Sequence, residues 1–201
     1  MNALLGVSRA IDAMSTRIGK WASWLILAAI AVSTLNAVIR YIRPQLSSNA
    51  WLEAQWYLFG ATFLLVAPWA LLAGDHIRID IVNSRLSRRA RNWIELLGHV
   101  LFLLPMAGSM LYYSIPMAAR SFAQGEMSQN AGGLAVWPAK WLIPLGFALL
   151  FVQGVSEAVK RVAIMQGRMD DQGGGGHQAA AEAEAARLLE QALAHGSAGH
   201  P

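Results

Sequence analysis

Cysteine is absent from the 201 residues, which excludes disulfides and thiolate-held metals. Charge is scarce too: Asp, Glu, Lys and Arg make up 14% of the chain, against about a quarter in an average soluble domain. Histidine is thinly spread. His76 precedes a basic loop, His177, His195 and His200 lie in the C-terminal region, and only His99 falls in an apolar run. A bis-histidine haem needs a pair of axial ligands, and a metal centre needs clustered donors; neither pattern is present, so no cofactor is expected. Neither a Ser-His-Asp arrangement nor a phosphate-binding loop occurs in a credible context. From Leu58 to Ala73 there is no charged residue at all.

What the chain has instead is apolar length. Hydrophobic residues make up 55% of the sequence, and most of the eight tryptophans lie at the edges of apolar runs. Trp56 and Tyr57 extend the uncharged run to about 18 residues, or roughly 27 Å of helix, close to the thickness of a bilayer core. Aromatic residues stand at one end, and five arginines between Arg78 and Arg91 follow the other. Spans are predicted over about 21–39, 56–73, 93–117 and 138–159. Pro68 frees the carbonyl of Leu64 inside the second, Pro105 falls at mid-depth in the third, and Pro138 suits the start of the fourth. Pro144 then implies a bend or a later start.

The loop charges set an orientation. Three Lys or Arg residues precede the first span, five follow the second, three follow the fourth, and four lie on the other side. The fold class expected is an all-α integral membrane protein with four transmembrane helices and both termini cytoplasmic. The net charge of +4 is carried by loops where such a topology puts it, so nucleic acid is not an expected partner. Residues 1–20 read as an amphipathic lead-in, with Leu4, Val7, Ile11, Met14 and Ile18 at helical spacing, resting on the lipid bilayer surface. Residues 21–163 form the four-span domain. The first apolar run is too long for a cleaved leader and fits an uncleaved anchor better. Residues 164–201 hold a glycine linker and an Ala/Glu-rich tail, with a short helix and a disordered segment equally open.

Ionisable residues lie near span ends: Glu53 before the second, Glu95 and His99 in the first turns of the third, and Glu157 in the last turn of the fourth. Glu95 and His99 share a helical face and can pair with each other or with a neighbouring helix. Asn36 and Gln153 are expected to hydrogen-bond across helices. No mid-span carboxylate is available for a proton-coupled exporter. The chain reads as a membrane scaffold or partner subunit. A self-sufficient tetraspan channel or exporter, and a membrane anchor for a soluble redox enzyme, are the alternatives.

Particular residues narrow this further. Glu53-x-Gln55-x-Tyr57-Leu58-Phe59, an apolar run, then His76-Ile77-Arg78-Ile79-Asp80-Ile81 resembles the small permease subunit (DctQ-like) of tripartite ATP-independent periplasmic (TRAP) transporters, over roughly residues 26–163. Glu126-x-Ser128, Gly132-Gly133-Leu134, Trp137-Pro138-x-Lys140 and Ile143-Pro144-Leu145-Gly146-Phe147 resemble the mannitol/chloroaromatic branch. The resemblance implies a noncatalytic subunit in the bacterial inner membrane. It would brace a large permease subunit that holds the substrate and ion sites, fed by a periplasmic solute-binding protein. Glu53, Gln55, Trp56, His76, Arg78, Asp80, Glu95 and His99 are the candidates for subunit contact or for fixing loops.

Overall fold

The computed structural model describes residues 2–46, 48–74 and 87–169. The His76, Arg78 and Asp80 motif and the C-terminal tail lie outside the described residues. The fold is all-helical, with four helices long and apolar enough to cross a membrane. Helix α1 is Asn2–Ile42 and α2 is Asn49–Ala73, joined through a 3-10 turn at Pro44–Leu46. The third span is composite: α3 (Arg88–Leu97), a π-helical turn (Gly98–Leu103) and α4 (Leu104–Ala123). Helix α5 is Trp137–Met165.

The lead-in read over residues 1–20 and the first span are one uninterrupted helix of 41 residues. At 1.5 Å per residue this is about 60 Å, twice a bilayer core. Glu53, placed before the second span by hydropathy, lies inside α2 because that helix, capped by Ser48, starts at Asn49, seven residues before the predicted span. The Ser48 hydroxyl accepts the Ala50 N–H at 3.2 Å, as an N-cap should. The other end of α2 stops at Gly74, whose φ of +70° few side chains tolerate. Pro68 is buried inside α2 without ending it, and α5 likewise begins at Trp137 and runs through Pro144 with no later start.

Just before Pro105 the third span widens: the Leu104 N–H bonds to the His99 carbonyl, five residues back. Pro105 has no N–H to continue the ordinary ladder, and a wider turn moves the preceding carbonyls away from its ring.

Helix α5 is the centre of the bundle, packing against α1, α2, α3 and α4, while α1 makes its most extensive contact with α2. The contacts are built from small residues. Ala22, Ala29, Ala61, Ala107, Ala118 and Ala163 are buried, whereas Trp21, Phe63, Phe102 and Tyr112 face outward. Large apolar side chains outside and small ones inside is the arrangement of helices packed in lipid, where close backbone approach, not hydrophobic burial, holds helices together. Asn36, expected to hydrogen-bond across helices, is buried, and its carboxamide oxygen has no hydrogen-bond partner among the described residues. Gln153 does bond across helices.

Candidate functional site

Two polar assemblies close the bundle, one at each end. At the first, residues 124–136 fold into a small hairpin between α4 and α5. Met127 and Ala135 form an antiparallel bridge. The Ser128 N–H bonds to the Leu134 carbonyl and the Val136 N–H to the Glu126 carbonyl, both at 2.9 Å. The tip turns through Gly132 at φ +70°.

Helix α2 grips this hairpin from the side. Ser48 donates its hydroxyl to the Gly132 carbonyl at 2.9 Å, and the Asn49 amide donates to the Ala131 carbonyl at 3.0 Å. One turn on, the Glu53 carboxylate accepts the Ser128 hydroxyl, the Asn130 side-chain amide at 2.8 Å and the Leu134 backbone N–H at 2.6 Å. Gly133 must be glycine for steric reasons: a Cβ there would lie 2.6 Å from the Ser128 Cβ and 2.8 Å from Glu53 Oε1. At the hairpin's base, Lys140 of α5 pairs with Glu126, and Phe122 stacks edge-on against Trp137 at 5.0 Å. The bond from Lys140 holds the Glu126 carboxyl below the usual carboxylate range.

The opposite end is tied by a longer network. Asp12 of α1 accepts from Lys160 Nζ through both oxygens at 3.1 Å and from the Gln153 amide at 2.9 Å. The Gln153 amide also donates to Glu157 at 3.0 Å, while its oxygen accepts the Ser15 hydroxyl at 2.7 Å. Lys160 reaches Glu157 at 2.6 Å, and Ser8 meets Ser156. Gln153 is fully buried, as Ser8, Ser15 and Ser156 nearly are. One cation therefore serves two carboxylates, and α1 is stitched to α5 over two turns.

The sequence-predicted residues fall unevenly on these assemblies. Glu53 is at the heart of the first. Gln55 is half-buried on the following turn, and Trp56 is 74% exposed on the outer surface of α2. Glu95 forms an ion pair with Arg161 of α5, whose other amino group reaches Asn92 at 3.5 Å. His99 does not meet the Glu95 carboxylate. Its Nδ1 donates to the Glu95 backbone carbonyl at 2.6 Å; a carbonyl can only accept, so Nδ1 carries the proton.

Sequence reasoning named Gln153 as a residue that hydrogen-bonds across helices but passed over its partners Asp12 and Ser15, and Ser8 and Lys160 of the same network. A signal was present: Ser8, Asp12 and Ser15 recur at four and three residues, a polar stripe beside the apolar one. Chemically, both assemblies are fasteners. The carboxylates of Asp12, Glu53 and Glu126 are occupied by donors from other elements of the same chain, and that of Glu157 by Gln153 and Lys160 of its own helix.

A family model described as the DctQ component of tripartite ATP-independent periplasmic transporters matches residues 29–163. That region holds Glu53, its hairpin and Gln153, and leaves out Asp12 and the rest of the α1 start. No curated protein and no solved structure matches the chain.

Proposed function

Because the chain belongs to the DctQ-component family of tripartite ATP-independent periplasmic transporters, as a small membrane subunit, we propose that it braces the large permease subunit of an ion-coupled solute importer. In this reading it is noncatalytic and carries neither substrate nor ion. The observation that supports bracing is the use made of polar groups in the bundle. Asp12, Glu53, Glu126, Lys140 and Lys160 are engaged in bonds that join helices or pin a loop. Small residues fill the helix contacts between the two ends. A bundle fastened at both ends suits a static support.

The partners in this reading are the large permease subunit in the membrane and a periplasmic solute-binding protein, in the bacterial inner membrane. Both termini lie in the cytoplasm, as the loop arginines favour. Glu53, Gln55, Trp56, Glu95 and His99 then act by fixing loops and helix contacts or by meeting the large subunit. The mannitol/chloroaromatic branch is favoured by Glu126, Ser128, Gly132, Gly133 and Lys140. These are the residues that build or brace the hairpin held by Glu53.

The test is co-purification. A tagged chain expressed with its neighbouring genes should recover a large membrane partner, and uptake in proteoliposomes should require both subunits and the binding protein. Recovery of no such partner, or transport by this chain alone, would remove the reading.

A further inference from the structure

The first half of α1 is amphipathic in an inverted sense. Its inward residues are polar: Ser8 and Ser15 are buried, and Asp12 is bonded to Lys160. Beside that polar line runs an exposed apolar one. Leu4 is 53% exposed, Val7 58%, Met14 38% and Trp21 78%. Ile11 and Ile18 complete the spacing of three and four residues that places all six on one stripe.

This stripe runs beyond the neighbouring span. Gly19 packs on Trp69, four residues before α2 ends at Ala73. Equal rise along the two helices then carries the residues before about Ser15 past the end of α2. The exposed charges of the segment, on the helix face away from the stripe, have one sign. Arg9, Arg17 and Lys20 are exposed, while the segment's one acid, Asp12, is turned inward to Lys160. At its far end the stripe passes through Trp21 and Trp24, both largely exposed, directly into the membrane span.

We propose that residues 4–21 form a binding surface for anionic phospholipid. The apolar stripe enters the boundary between headgroups and acyl chains, and Arg9, Arg17 and Lys20 reach the lipid phosphates. The Asp12–Lys160 and Ser15–Gln153 bonds aim the stripe, because they hold the polar side of α1 against α5. A partner helix is the competing occupant. It would have to offer acids to three cations, and it would not explain the unbroken passage of the stripe into the span through two interfacial tryptophans. The proposal does not depend on the transporter assignment and is tested on this chain alone.

The absence of native cysteine allows an environment-sensitive fluorophore at Val7→Cys, with Ala13→Cys on the far side of the helix as the control. Each variant is reconstituted in nanodiscs of phosphatidylcholine, with and without phosphatidylglycerol. The Val7 label should become shielded from iodide and quenched by doxyl-labelled lipid when phosphatidylglycerol is present, while the Ala13 label stays aqueous. Replacing Arg9, Arg17 or Lys20 with Gln should lower the ratio of shielded to exposed label by about fivefold per residue at low salt. A Val7 label that stays aqueous in phosphatidylglycerol overturns the proposal. So does shielding that is equal in both lipids and unmoved by the Gln changes. Shielding that needs the large subunit overturns it in favour of a partner helix.

Discussion

The carbonyl of Leu64 lies against Gly146 across the contact between α2 and α5: a Cβ on Gly146 would come within 3.1 Å of that oxygen and 2.6 Å of the Leu64 Cβ. Pro68, four residues on, has no N–H to give this carbonyl. In lipid such a group must be covered by protein, and the glycine lets α5 come close enough to cover it. The proline on one helix and the glycine on the other are two halves of one packing solution.

The first prediction follows directly. Gly146→Ala should destabilise the bundle by about 1 to 3 kcal/mol, because the obstructing atoms belong to the backbone and a Cβ and cannot swing aside. Gly60→Ala, on the outer part of α2 with nothing within 4 Å of its added Cβ, should be neutral or stabilising by up to about 1 kcal/mol. Unfolding of both variants in one detergent separates a packing defect from a general response to alanine. Equal effects would mean the Leu64–Gly146 approach carries no constraint.

These relationships mark what could be read before the fold was known. The four spans were legible because each needs only a long uncharged run. The continuity of α1 was harder to read: Arg9, Arg17 and Lys20 resemble the flank of a surface helix, and nothing local says that Ser8 and Asp12 will meet residues 148 positions away. Glu53 and the Glu126-to-Lys140 segment were visible as separate pieces. Only the parallel packing of α2 beside α5, both starting at the hairpin end, shows that the carboxylate belongs to the hairpin. The spacing of Glu95 and His99 left two pairings open, with each other or with a neighbouring helix; Glu95 takes the second through Arg161, and the imidazole bonds to backbone.

A pH dependence follows from Glu126. Its carboxyl titrates lower in the folded chain than in the unfolded one because Lys140 favours the charged form. The unfolded chain therefore binds its proton first as pH falls. The stabilising contribution is complete above the unfolded carboxyl range and disappears as pH drops through the lower folded value. The stability gap between the native chain and Glu126→Gln should thus be steady near neutrality and shrink in acid. A gap that widened on acidification would contradict the role of Lys140.

The orientation is tested at two exposed sites at opposite ends of the bundle. Gln129→Cys, at the hairpin, should react with an impermeant thiol reagent in intact cells. Gln166→Cys, just past α5, should react only after lysis. The loop arginines motivate this expectation, and the reverse labelling would turn the bundle over in the membrane.

The Asp12 network makes an asymmetric prediction, because one ammonium faces two carboxylates. The side chains of Lys160, Glu157 and Asp12 are 13%, 14% and 22% exposed, so an unbalanced charge there is poorly solvated. Lys160→Met leaves both acids without their cation and should cost about 3 to 5 kcal/mol. Asp12→Asn keeps an acceptor for Gln153 and leaves a balanced Lys160–Glu157 pair, so the loss should be nearer 1 kcal/mol. Adding Asp12→Asn and Glu157→Gln to Lys160→Met should then recover much of the stability lost by the single change, since no uncompensated charge remains. Comparable losses from Lys160→Met and Asp12→Asn, with no recovery in the triple variant, would mean that the stitch between α1 and α5 depends on the geometry of its hydrogen bonds and not on balance of charge.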